Sequence, residues 1–437
     1  MRNELTCVEC GRTYPATSGK VKCVCGGQLV PTLPKSLGRV NAPGIWSWGA
    51  ALVTSVFSDR VTLYEGNTPL VRASKLAKEL NLKEVYLKDE SRNPSGTFID
   101  RGSATLVTAA RSLGLARLVT ASLGDLGVSV ATYSRRAGLR CKVIMPSYIT
   151  PVKAYQTAML ADSVEYVESY EESLSRAWKY GSAPASMPVT PQNPFLLDGY
   201  RTLAMEILTD LRAGKPGVVL VPVGDGALAY ATLQIISKFS PGTTVIGVRA
   251  SSKSPLLKDV AVDRPLFADL LKELMEHGKG YIIEVGEDDV VSALKLLARC
   301  EGMLTELTGA TAVAALIKLS SDLRSTSPII SIISGGPARD PAVLRLMVSE
   351  GHPKYLTRIG FTKMKILEIL ALQGPLHPYA VWKILRSEYG VNVSLRSIYQ
   401  HFNELSEMQL VEGTEEREGG RRRRVFKVTD KGLNLIR

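Results

Sequence analysis

At 437 residues, with 45% hydrophobic and 22% charged side chains, the chain is long enough for about three folding units of ~150 residues and has the balance of a globular protein, which excludes a wholly disordered or fibrous one. No run of about 18 apolar residues offers a membrane span, and the start Met1-Arg2-Asn3-Glu4-Leu5-Thr6-Cys7 lacks the apolar core of a signal peptide. A cytoplasmic address with no membrane partner is therefore expected. The formal net charge of +12 is uneven: from Lys354 to Arg437 there are 15 Lys and Arg against 9 Asp and Glu, a net of +6 in 84 residues. Half the excess charge thus sits at one end, which suits an anionic partner such as nucleic acid.

Four of the six cysteines come first, as Cys7-x-x-Cys10 and Cys23-x-Cys25, each pair followed by glycine (Gly11 and Gly26). Paired thiolates on tight glycine turns can converge on one tetrahedral zinc, a closed structural site with no open position for substrate. Residues 1–30 are read as a zinc-ribbon-like segment, and 31–60 as a connection. Cys141 and Cys300 stand alone in apolar stretches, as core residues do.

From about Val61 to Met347, short β-branched runs (84–88, 118–122, 142–145, 217–223, 244–248 and 328–333) alternate with helical patterns. That alternation predicts an α/β domain over 61–350, with open parallel sheets and crossover helices. Ligands of such sheets sit at the carboxyl ends of strands, where glycine loops let backbone amides approach a phosphate.

Glu65-Gly66-Asn67-Thr68-Pro69-Leu70, Lys88-Asp89-Glu90 and Asn93-Pro94-Ser95-Gly96-Thr97-Phe98-Ile99-Asp100-Arg101-Gly102 together resemble the threonine synthase family, pyridoxal-phosphate enzymes of the tryptophan-synthase-beta type. The resemblance places the family's imine-forming lysine after Phe98, where this chain has Ile99. It also implies that Ala121-Ser122-Leu123-Gly124-Asp125 corresponds to the loop gripping the substrate carboxylate, that Val221-Pro222-Val223-Gly224-Asp225-Gly226-Ala227-Leu228 corresponds to the phosphate loop, and that Ser334 meets the ring nitrogen. Isoleucine has no amine, Asp225 sets a carboxylate in a loop built for a dianion, and Leu123 and Leu126 replace hydroxyl donors. These departures predict a pseudoenzyme with no catalytic residue, pyridoxal phosphate not being a covalent cofactor, and a vestigial pocket of Phe98, Ile99, Ser122, Asp125, Gly224, Asp225, Gly226 and Ser334. Lys88 reads as structural.

After Gly351-His352-Pro353-Lys354, residues 355–437 carry a second pattern. A helix over 363–372 ends at Gly374-Pro375, and Pro378 opens the next. Ser394 caps a third, in which Leu395, Ile398, Phe402 and Leu405 form the buried stripe and Arg396, Ser397, Tyr399, Gln400 and Asn403 face out. Those outward side chains suit a major groove, and Ser394 is counted with them among the DNA-binding residues. A hairpin follows: a strand over 410–414, a Gly419-Gly420 turn, then Arg421, Arg422, Arg423 and Arg424 with Lys427, placed to run along phosphates. This set resembles the PadR family of winged helix-turn-helix repressors. Members of that family usually dimerise through a helix after the wing, whereas this chain stops soon after Gly432, so the large domain is expected to supply the dimer contact.

The function expected is a DNA-binding transcription regulator, homodimeric through an inactive threonine synthase-like body, that senses a small metabolite. The alternatives are an active lyase carrying its own DNA-binding domain, and a ligand-free architectural DNA binder.

Overall fold

The computed structural model describes residues 3–211, 214–251, 262, 264–277, 280–336, 360–387, 389, 391, 393–418 and 421–436. The chain divides into two compact units, Met1–Leu344 and Arg345–Arg437. The segment 351–354 and the Gly419-Gly420 turn lie outside the described residues.

In the first unit the cysteines flank a three-stranded antiparallel sheet, in the order Thr13–Pro15, Glu4–Cys7, Leu29–Pro31. Two larger sheets follow. One has six strands in the order Gly280–Val285, Thr244–Ala250, Val218–Val223, Ile329–Ile333, Val85–Asp89, Leu70–Arg72, all parallel except the last. The other is a four-stranded parallel sheet in the order Ser163–Val167, Arg140–Pro146, Arg117–Ala121, Ser186–Val189. Helices connect these parallel strands, as crossovers must. Every residue of Val218–Val223 and of Ile329–Ile333 is buried, because central parallel strands are covered on both faces and are filled by β-branched side chains. The predicted α/β class of open parallel sheets is the fold observed.

Two helices frame the region around Ile99. Ile99–Ser112 packs on Pro194–Asp210 at close range: a Cβ on Gly199 would stand 2.0 Å from the Arg101 carbonyl, and one on Gly102 would stand 2.5 Å from the Tyr200 ring. That approach brings Arg101 against Glu206. The Arg101 guanidinium reaches Glu90 and Glu206, each at 2.7 Å, and Lys88 Nζ lies 2.7 Å from Glu206 and 2.8 Å from the Thr68 carbonyl. Two cations and two anions, all fully buried, thus close a neutral cluster. Lys88 is held in that cluster and is not among the residues lining the cleft described below.

The second unit contains helices Phe361–Gln373, Pro378–Ser387 and Leu395–Glu407, the antiparallel pair Val411–Glu418 and Arg421–Val428, and a short helix Asp430–Ile436. Ile366, Leu370, Leu385, Ile398, Phe402 and Phe426 share its core, with the Phe402 and Phe426 rings 4.7 Å apart. The Ser394 hydroxyl accepts from the Ser397 amide at 3.1 Å, capping the third helix. Leu395, placed in the buried stripe by periodicity, is half-buried, because it opens the helix beside its cap.

Candidate functional site

A cleft of about 910 Å³, open solvent included, lies in the first unit. Phe98 and Ile99 at the start of Ile99–Ser112, Asp125 at the start of Asp125–Ala137, the Gly224-Asp225-Gly226 loop before Ala227–Phe239, and Ser334 after the strand Ile329–Ile333 all line it. Ser122 does not line it. Its hydroxyl accepts from the amides of Gly124 and Gly127, each at 2.8 Å, and so shapes the loop from behind.

Among the lining residues that the sequence did not signal are Lys153, Tyr170, Tyr200 and Glu306. Lys153 comes from the helix Pro151–Leu160, and its stem lies over Gly124, where a Cβ would stand 2.5 Å from the lysine Cδ. Gly124 also has φ +123, so the position demands glycine twice over. Lys153 Nζ is 3.0 Å from Asp125 and 4.0 Å from Glu306, and all three side chains are largely buried. Tyr200 packs edge-on to Phe98 with centroids 5.1 Å apart. The lone polar and aromatic residues of separate helices gave no local pattern from which this convergence could be read.

Asp225 is enclosed by protein, although it keeps some access to solvent from the cleft. Its enclosure pushes the carboxyl up to about 7, against the opposing effect of a hydrogen bond from the Tyr170 hydroxyl at 3.2 Å. Near neutral pH the group is therefore about half protonated. A protonated Asp225 does not repel a phosphate, and the first backbone amides of Ala227–Phe239 lack intrahelical partners. In the same cleft the Ser334 hydroxyl is buried with no hydrogen-bond partner among the described residues. It is a polar atom waiting for one.

Elsewhere in this unit, the sulfurs of Cys7, Cys10, Cys23 and Cys25 lie within 4.8 Å of one another. The closest pairs are Cys7–Cys25 and Cys10–Cys23 at 3.6 Å and Cys10–Cys25 at 3.5 Å. Four thiolates bound at ~2.3 Å to one tetrahedral ion would stand about 3.8 Å apart, so the arrangement can hold such an ion with little adjustment.

In the second unit the face of Leu395–Glu407 turned from the core presents Arg396, Tyr399, Gln400 and Asn403 to solvent, with Ser397 half-buried beside the cap. Gln400 already donates to Glu404 at 3.0 Å. In the hairpin, Arg424 is exposed over the Phe426 ring and Lys427 pairs with Glu412 at 2.8 Å. The side chains of Arg421, Arg422 and Arg423 lie outside the described residues. The backbone register sets Glu415 opposite Arg424, Glu416 opposite Arg423 and Glu418 opposite Arg421. Three of the four arginine positions thus stand opposite a glutamate and Arg422 stands opposite Arg417, a partial compensation that the Arg421–Arg424 run does not reveal when read alone.

The transcriptional regulator PadR-like family matches residues 366–437. The remainder resembles enzymes. Threonine synthase of Methanocaldococcus jannaschii is 28% identical over 374 residues, 77% of this chain and 92% of that protein. Threonine synthase of Mycobacterium bovis is 29% identical over 307 residues, 64% and 84% of the two chains. Among solved structures, diaminopropionate ammonia lyase from Escherichia coli superposes with a TM-score of 0.59 at 18% identity, covering 67% of this chain and 90% of the other. The processed form of threonine deaminase isoform 2 from Solanum lycopersicum does so with a TM-score of 0.54 at 23% identity, covering 65% and 88%. These two carry the fold.

The comparisons correct two expectations. A non-enzyme was inferred from Ile99, and pyridoxal phosphate was set aside with it, yet relatives over most of the chain are named as threonine synthases and the family is defined by that cofactor. The inference rested on single side chains read in isolation: a second amine, Lys153, lines the same cleft, and burial moderates the charge of Asp225. With residues 61–335 matched by its model, the chain belongs to the pyridoxal-phosphate dependent enzyme family and carries a PadR-like domain behind it.

Proposed function

We propose that the protein is a DNA-binding transcription regulator in which a threonine synthase-like body pairs two copies and a small molecule in its cleft sets the affinity for DNA. The observation that carries this reading is the exposed face Arg396, Tyr399, Gln400 and Asn403 on a capped helix, within a domain matched by the PadR-like family. Guanidinium and carboxamide groups there suit base edges in a major groove of double-stranded DNA. Two sets of cleft residues suit the family cofactor: Ser334 offers a hydroxyl to the ring, and the loop Gly224-Asp225-Gly226, with Asp225 protonated, leads the helix amides to the phosphate. When bound, it supplies an electron sink for bonds at the α-carbon of an amino acid. The four thiolates Cys7, Cys10, Cys23 and Cys25 are assigned a structural zinc.

The DNA-binding reading is tested by mobility shift and footprinting on the DNA flanking the gene. Substituting Arg396 or Gln400 should change which sequence is preferred, at about 1–3 kcal/mol per lost base contact. Reversing charge across Arg421–Arg424 should instead weaken binding to every sequence and flatten the salt dependence by up to about four units of slope, less whatever the facing glutamates already neutralise. If neither change alters binding, this domain serves a protein contact. Sedimentation of a chain truncated after residue 350 should still give a dimer. For the zinc, metal analysis of purified protein should return one equivalent, and Cys10→Ser should lose it and lower the melting temperature of the first unit.

A further inference from the structure

The family places its reactive amine on the residue after Phe98, and here that residue is Ile99, which faces the cleft without a nitrogen. Among the described residues, Lys153 is the sole lysine that lines the cleft with it. Its stem is fixed over Gly124 and its Nζ stands beside Asp125, so the amine is held inside the walls rather than swept through solvent. We propose that Lys153 is the residue through which this cleft bonds covalently to an aldehyde, with pyridoxal phosphate the aldehyde in question. The proposal rests on the reading of the cleft as a cofactor site and names the atom that would anchor it.

The balance of the step suits the surroundings. An ammonium and an aldehyde give a protonated C=N bond and one water: the new bond forms between Nζ and the aldehyde carbon, two of the three nitrogen protons leave with the carbonyl oxygen, and the third stays. The nitrogen is cationic before and after the reaction but must release a proton to attack, and Asp125, 3.0 Å away, is placed to hold that proton and to pair again with the cationic product. A lysine engaged by carboxylates is usually a structural cation, and that is the competing account. Two features favour the reactive one: the amine opens on the same cleft as Ile99, and Ser334, which lines that cleft too, carries a buried hydroxyl with no partner among the described residues, suited to a ring nitrogen. Lys88 offers no rival, because it is spent on Glu206 and the Thr68 carbonyl outside the cleft.

The test uses the full chain with pyridoxal 5'-phosphate, borohydride reduction and mass mapping of peptides. Wild type should carry one pyridoxyl group, on the peptide containing Lys153. Lys153→Arg keeps the cation and its ion pair but cannot form the bond, and should lower that label by about tenfold or more while the cofactor still shifts the melting temperature. In Ile99→Lys the label should divide between positions 99 and 153. Binding without any lysine label, or a label that persists undiminished in Lys153→Arg, overturns the role of Lys153 and leaves the cofactor site standing. A chain whose melting temperature and absorbance ignore the cofactor overturns both.

Discussion

Replacing Glu206 by alanine should destabilise the first unit by roughly 3–5 kcal/mol, seen as an early urea transition in the fluorescence of the buried Trp46 and Trp48. The reason lies in charge balance. Glu206 accepts from Lys88 and from both terminal nitrogens of Arg101, and the four members of the cluster are sealed from water. Without it, two buried cations share Glu90 alone. Burial by itself would raise the Glu206 carboxyl, but Arg101 and Lys88 outweigh it and hold the group down to about 2. A carboxyl depressed on folding stabilises the native state above its ordinary value of 4.5, and that stability drains away as pH falls through 2. Across that window wild type should lose up to about 3 kcal/mol from this one group. Glu206→Gln should be less stable at neutral pH and should lose about 3 kcal/mol less than wild type between the same limits. If the glutamine variant shows the wild-type acid transition, the cluster is not what sets it.

That cluster also shows where sequence reading stops. The parallel sheets were legible, because fully covered strands such as Val218–Val223, an unbroken apolar run, and Ile329–Ile333, broken only by Ser331, are mostly β-branched. Ser163–Val167 was missed because its side chains are mostly accessible, which leaves a mixed composition with no apolar run. Gly280–Val285 was missed for a similar reason, as an edge strand with exposed Tyr281 and Ile282. The second unit was legible through cap, stripe and wing, each a local pattern of a few residues. The short helix Asp430–Ile436 was not, since seven residues hold too little periodicity to show. In the cleft, residues within glycine-rich motifs were found from their motifs. Lys153 and Glu306 were not, being 28 and 181 positions from Asp125 and joined to it only by folding. Ile99 looked decisive because nothing local could show another amine beside it.

Asp225→Asn should change both stability and phosphate affinity, and each with a definite dependence on pH. The carboxyl rises from 3.8 to about 7 on folding, because protein encloses it and the Tyr170 hydroxyl offsets only part of the penalty. A raised carboxyl means that the native chain holds a proton that the unfolded chain has released. Native stability therefore falls as pH climbs from about 4 through 7 and stays low above. Asparagine fills the same space and still accepts from Tyr170, but it has no charge to desolvate. The variant should match wild type near pH 4 and exceed it at pH 8 by roughly 2–4 kcal/mol, the lower end reflecting the access Asp225 keeps from the cleft. Ligand binding follows the same logic. An ionised Asp225 about 4 Å from a phosphate would oppose it by about 4 kcal/mol per unit of phosphate charge at an effective dielectric of 20, so the dianion binds with uptake of a proton. Wild-type affinity for pyridoxal 5'-phosphate should then weaken by about fivefold between pH 7 and 8, while that of Asp225→Asn stays level over the same range. Titrations read by the change in cofactor absorbance would decide it: parallel curves for the two proteins would mean that Asp225 does not face the phosphate, and the loop after Val223 would lose its assigned role.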